Sequence, residues 1–158
     1  MKRRIFLLVI FLLVLLTTTG FAAKPVIRAD NTYFDINTGL YVLNGNVYIQ
    51  VNNRIITAGQ AKVNVAGLEV WGSGGVTVTQ DDINFTGDSV YVYGAQDQAK
   101  IDGGVKLTRT GLTITADQVD FNWQNKIAVF SGHVQVSQNG NAYSADSVNY
   151  NVATNTIL

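Results

Sequence analysis

Asp30, Asp88, Asp117 and Asp146 are the residues whose spacing first suggests chemistry. Each follows a small residue, and those small residues, Ala29, Ala58, Gly87, Ala116 and Ala145, recur at intervals of 29. Gly59 takes the place of the acid in the second copy. A repeating fold that stacked these carboxylates would offer oxygen donors of the kind calcium takes. One rung of that ladder is Gly59, however, and no glycine-rich ligand loop accompanies the others. A glycosidase needs two positioned carboxylates, and Asp81-Asp82 and the repeated aspartates supply only the residue type. His133 is the single histidine, next to Gly132 in a strand-like pattern, and reads as an exposed strand residue. Cysteine is absent, as are a nucleophile elbow and a phosphate-binding glycine loop. The inventory points away from an enzyme and calls for no metal and no cofactor. It leaves the aspartates an architectural task, since Asp bonds readily to nearby backbone N–H groups at a bend.

The elements that must hold these residues repeat in the same register. Gly45, Gly74, Gly103 and Gly132 lie sixteen residues after the first four small residues, and Val47, Val76, Val105 and Val134 lie two further on. Thr57, Thr86, Thr115 and Ser144 close the full copies, and the fifth copy runs only to Leu158. A fixed period of this size marks one supersecondary unit stacked on its neighbours.

Within each copy apolar and polar residues alternate with a period of two, the signature of a half-buried strand. Val47/Ile49, Val76/Val78, Val105/Leu107 and Val134/Val136 share one face, while Tyr48/Gln50, Thr77/Thr79, Lys106/Thr108 and Gln135/Ser137 share the other. A further strand contributes Ile56, Phe85, Ile114 and Tyr143, and another contributes Phe34, Val63, Val90/Val92, Val119/Phe121 and Val148/Tyr150. The segments around "LYVL", "LEVW" and "IAVF" are apolar on both faces and take no clear orientation. Turn chemistry separates the strands at "NTG", "QDD", "RTG" and "QNGN". In "ITADQVDF" the apolar parity changes across Ala116-Asp117, which requires a bulge or corner. The pattern predicts an all-β stack of about four short strands per repeat, closed into two facing sheets.

The chain opens differently. "MKRRIFLLVIFLLVLLTTTGFAA" has a basic start, an apolar run from Ile5 to Leu16 and a small-x-small site at Gly20 and Ala22. That layout predicts a secretory signal peptide over residues 1–22 and a domain over 23–158. An uncleaved membrane anchor is the alternative, since the run to Ala23 is long enough to span a bilayer. Cleavage leaves 136 residues of net charge −3 with scattered basic side chains, a poor nucleic-acid binder. Pro25, the only proline, precedes the repeats, and no linker interrupts them.

In register, "RADNTYFDINTGLYVLNGNVYIQV", "ITADQVDFNWQNKIAVFSGHVQV" and "YSADSVNYNVATNTI" resemble the LptA/OstA family over residues 29–158. The resemblance implies an antiparallel β-jellyroll in the periplasm that carries lipopolysaccharide toward the outer membrane, with acyl chains between two sheets. The second copy departs from the pattern at Gly59, which leaves its corner open. The implied partners are lipopolysaccharide or a related glycolipid and other jellyroll components of the transport bridge. A membrane-anchored partner of the same system, or a closed structural β-repeat module, remains the alternative.

On this reading the lipid-binding candidates are Val47, Ile49, Ile56, Val76, Val78, Phe85, Val105, Leu107, Ile114, Phe121, Val134 and Val136. Tyr48, Tyr91 and Tyr93 are solvent-side aromatics able to contact sugars or simply to pack across strands. The strand with Val148, Tyr150 and Val152 has no following copy to cover it, which predicts an assembly edge and head-to-tail association into a homo-oligomer.

Overall fold

The computed structural model describes residues 26–51, 53–64 and 66–158. The expected signal segment and its cleavage site lie outside the described residues. One antiparallel sheet holds every strand. Two short strands, β1 (Val26–Arg28) and β2 (Asn31–Asp35), both pair with β3 (Leu40–Val51). Then follow β4 (Arg54–Asn64), β5 (Glu69–Gln80), β6 (Ile83–Tyr93), β7 (Gln98–Arg109), β8 (Leu112–Asn122), β9 (Ile127–Gln138) and β10 (Asn141–Asn151), each hydrogen-bonded to its predecessor. A two-residue strand, β11 (Thr156–Ile157), pairs with the end of β10.

Each 29-residue repeat is therefore two long strands, where alternation alone predicted about four short ones. The discrepancy has one cause. Every long strand carries a register shift near its middle, between Asp102 and Val105 in β7, for example, opposite Ala116 to Gln118 in β8. The shifts line up from Asn44/Val47 through Ala145/Ser147 and bend the whole sheet along one line. A bulge bends its strand and strengthens the local twist, so a stack of bulges folds the sheet into two legs. The parity change across Ala116-Asp117 is one of these corners.

Residues 31–44, 60–64, 69–73, 89–93, 98–102, 118–122, 127–131 and 147–151 form the first leg. Residues 26–28, 47–51, 54–58, 76–80, 83–87, 105–109, 112–116, 134–138 and 141–145 form the second. The legs face each other: Phe85 of the second leg stacks on Phe130 of the first, centroids 6.2 Å apart and 6° from parallel. This is the two-sided β-jellyroll of the sequence expectation, made by bending one sheet.

At the corners two consecutive residues take positive φ: Gly45-Asn46, Gly74-Gly75, Gly103-Gly104 and Gly132-His133. The repeated aspartates find their role here. A Cβ on Gly45, Gly103 or Gly132 would run into the carboxylate of Asp30, Asp88 or Asp117 respectively. The acid thus packs on a bare glycine fifteen residues later, across the strand pair, and not on its own backbone as expected. In the second copy a Cβ on Gly59 would run into the Gly74 backbone, and one on Gly74 would crowd the Gly59 backbone. Two glycines replace the acid–glycine pair, so that corner survives the missing Asp. Among the described residues no three acidic, histidine or cysteine side chains converge.

Candidate functional site

The inner face of the second leg is one unbroken cross-strand row. Ile49 pairs with Ile56, Ile56 with Val78, Val78 with Phe85, Phe85 with Leu107, Leu107 with Ile114, Ile114 with Val136 and Val136 with Tyr143. Side chains alternate across a strand, so each neighbour of these residues points outward. Beside the corners runs a second inner series, Val47, Val76, Val105 and Val134, all at most 2% exposed.

The row is not uniform. Leu107 and Ile114 are fully buried and Val136 is 1% exposed. They belong to a large core with Val119, Ala128, Phe130, Val148 and Tyr150 on the first leg, against which Phe85 and Phe121 pack. Ile49, Ile56, Val78 and Phe85 are only half-buried. A separate small cluster gathers Leu43, Val47 and Ala61, with Ile49 and Ala58 packed on it. Ile56 and Val78 belong to neither cluster. The legs are thus packed together under β7–β10, while under β4–β5 Val76 and Ala61 beside the corner stay buried and the row parts only toward the leg tips, at half-buried Ile56 and Val78. Dense packing needs inward side chains from both legs, and the first leg is thin opposite the parted stretch, with Ala61 and Gly72 as cross-strand partners.

Arginines mark the mouth between the leg tips. Arg109 shares the inner face of Val105 and Leu107. Its Nε donates to Asp82 at 2.9 Å, and one terminal nitrogen donates to the Tyr150 hydroxyl at 3.1 Å and to the Val152 carbonyl at 2.8 Å. These bonds tie the second leg to the first over the closed core. The Tyr150 hydroxyl, then Asp82, hold the Arg109 guanidinium charged, with its pKa above the ordinary value. Arg54 shares the inner face of Ile56 and donates from Nε to Gln80 Oε1 at 2.9 Å. The residue as a whole stays exposed, yet enough protein crowds its guanidinium for burial to push its pKa down.

A family model described as LptA/(LptD N-terminal domain) LPS transport protein matches residues 69–156, more than half of the chain. The chain belongs to this family. No curated protein matches it. A solved structure, LptH, described as the LptA-homologous periplasmic component of the conserved lipopolysaccharide transport device from Pseudomonas aeruginosa, aligns with a TM-score of 0.61. That match has 16% identity and covers 69% of this chain and 82% of LptH. At such identity it speaks for the fold, and it agrees with the bent-sheet jellyroll of the LptA/LptD N-terminal type.

Eleven of the twelve lipid-binding candidates lie on the inner face of the second leg in this LptA-type fold, and Phe121 lies on the first leg beside the closed core. Of the assembly-edge candidates, Val148 and Tyr150 point into the core, 5% and 0% exposed, and Val152 packs against it. β11 pairs with Tyr150 and Asn151, and the Leu158 N–H donates to the Asn149 carbonyl. Among the described residues the unpaired stretch of this edge is therefore Asn141–Ser147, where Tyr143 is 45% exposed. The solvent-side tyrosines divide between the legs. The Tyr91 and Tyr93 ring centroids lie 3.8 Å apart on the first, where Trp71 stacks on Tyr91, while Tyr48 sits on the second under Arg28. The Tyr91 hydroxyl donates to Glu69, which pushes its pKa up to about 12. Arg54 and Arg109 escaped the sequence reading. Their signal was parity: each continues an apolar face, "RIITA" and "VKLTR", with a charge.

Proposed function

We propose that this LptA-family domain is a periplasmic carrier that shelters the acyl chains of lipopolysaccharide between its legs and passes the lipid toward the outer membrane without covalent chemistry. The observation that carries the reading is the half-open apolar row Ile49–Ile56–Val78–Phe85, facing inward in a member of a lipopolysaccharide transport family. A lipid crossing water exposes roughly 0.8 kcal/mol per CH₂, hence roughly 10 kcal/mol for a dozen carbons. A slot of repeated aliphatic side chains offsets that cost and offers similar energies at successive strands. The export-like start of the sequence and the periplasmic description of LptH support the compartment.

Among the candidates, Ile49, Ile56, Val78 and Phe85 are those a chain reaches without unpacking the core. Val105, Leu107, Ile114, Val134 and Val136 join only where the legs part further. A photo-crosslinking residue at Val78 is expected to capture lipid, and one at outward-facing Thr77 to capture little. Equal capture at both positions would leave a closed structural module as the better reading.

Transfer also needs contact between carriers. The outer side of Asn141–Ser147 pairs with no strand among the described residues, and a free edge recruits another strand unless a charge or proline guards it. The partner is a second copy or another jellyroll of the same system. Tyr143→Lys is expected to reduce concentration-dependent association by sedimentation, and unchanged association would remove this edge from the contact.

A further inference from the structure

The carrier reading leaves open what recognises the polar end of the lipid, and the mouth of the open slot holds a candidate. On the inner face, Arg54 pairs in register with Gln80, one step beyond the Ile56–Val78 pair. Two residues along a strand is roughly 7 Å, so a headgroup at Arg54 leaves its chains at Ile56 and Val78. Arg28, Lys62, Lys100 and Lys106 stand at outer-face positions, in register with Tyr48, Trp71, Tyr91 and Thr115.

The two inward arginines differ in what they bind. Arg109 spends its donors on Asp82, the Tyr150 hydroxyl and the Val152 carbonyl. Among the described residues the Arg54 side chain donates only to the neutral Gln80 side chain, and no carboxylate lies within ion-pair distance of it. A guanidinium carries five N–H donors in a planar fork suited to phosphate or carboxylate. The residue as a whole is exposed, and nearby protein pushes its pKa down through desolvation. An anion arriving there supplies the missing partner. Gln80 fixes Nε and leaves the outer edge of the fork free.

We infer that Arg54 is the seat for a phosphate group on the lipid held in the open slot. The inference rests on the carrier reading above. The ligand class is a phosphorylated, acylated glycolipid, with chains on the Ile56–Val78 row and the phosphate on the guanidinium fork.

The test compares diphosphoryl lipid A with the same lipid dephosphorylated, by displacement of a fluorescent fatty-acid probe from the purified domain. Wild type is expected to favour the phosphorylated lipid by about tenfold, the scale of one charge-assisted bidentate contact. Arg54→Gln should lose that preference while keeping its affinity for the dephosphorylated lipid, which also verifies the fold. Arg54→Lys should keep part of it, and millimolar inorganic phosphate should not displace the probe. A wild-type preference retained in Arg54→Gln overturns the seat and leaves the slot standing. Displacement of the probe by inorganic phosphate also overturns it, by making the site one for free anions. If wild type binds neither lipid, the carrier reading itself falls and the seat with it.

Discussion

His133 stands at a corner where its neighbours in the other repeats are Asn46, Gly75 and Gly104. All four positions have positive φ, a conformation that costs most side chains energy and that glycine and asparagine adopt readily. Asn46 offsets the strain by donating from Nδ2 to Asp30 at 2.8 Å. His133 makes the equivalent contact, Nδ1 to Asp117 Oδ2 at 2.7 Å, and Asp117 raises its pKa above the ordinary 6.5. A raised histidine pKa stabilises the fold fully below the unfolded-state value, and the contribution disappears as pH rises through the folded value. His133→Asn should copy the Asn46–Asp30 corner. Thermal melts are expected to show the variant unchanged in stability at pH 8, while the excess stability of wild type below pH 6.5 disappears. The side chains are exposed, so the effect is small and salt-sensitive. A wild-type profile that runs parallel to the variant across this range would mean that Asp117 does not hold the imidazolium.

At the scale of the strand, the alternation that assigned Val105, Leu107, Ile114, Val134 and Val136 to one face was legible because side-chain period two survives any bend. Strand length was not, because a bulge keeps the ladder going while it changes parity, so one bent strand reads as two. Nor was the unevenness of the inner row. Ile56 and Leu107 are equally apolar in sequence, and their exposure differs because of what faces them: Ala61 and Gly72 are neighbours on the thin part of the first leg, Phe130 and Tyr150 on the thick part. That contrast fixes a stability prediction. Leu107 is fully buried, and truncation of such a side chain costs about 2–5 kcal/mol. Val78 is half-buried and outside both clusters, so its truncation removes little packing and is expected to cost well under about 1.5 kcal/mol. Urea unfolding of Leu107→Ala and Val78→Ala should show the difference in midpoint. Equal losses would mean that the slot under β4–β5 is as tightly packed as the core under β7–β10.

Across the whole molecule, the bent sheet is a pair of legs closed at one end of the strand stack and parted nearer the other, and Arg109 is the visible tie at the closed end. Its hydrogen bonds join β7 of the second leg to the Tyr150 hydroxyl and Val152 carbonyl of the first, while Asp82 fixes it from the neighbouring turn. The guanidinium is well covered, with its side chain 17% exposed, and hydrogen bonds to a charged donor are stronger than neutral ones when water is excluded. Beneath it the core is apolar and buried, which holds the legs together without the arginine but gives no directional bond across the mouth. Arg109→Gln therefore should not unfold the domain. It should let the legs part more often over β7–β10, extending the open slot along the same inner row. Two readouts follow from that geometry. Amide hydrogen exchange is expected to quicken in β7 and in β10 near Tyr150, with β4 and β5 unchanged. Lipid crosslinking from Leu107, expected to be low in wild type because the residue is buried, should rise toward the level expected from Val78. If exchange quickens in every strand, the variant has lost global stability and Arg109 is an ordinary packing residue. If it quickens only near the mouth, the closed end is a second stretch of the same slot, held shut by one side chain.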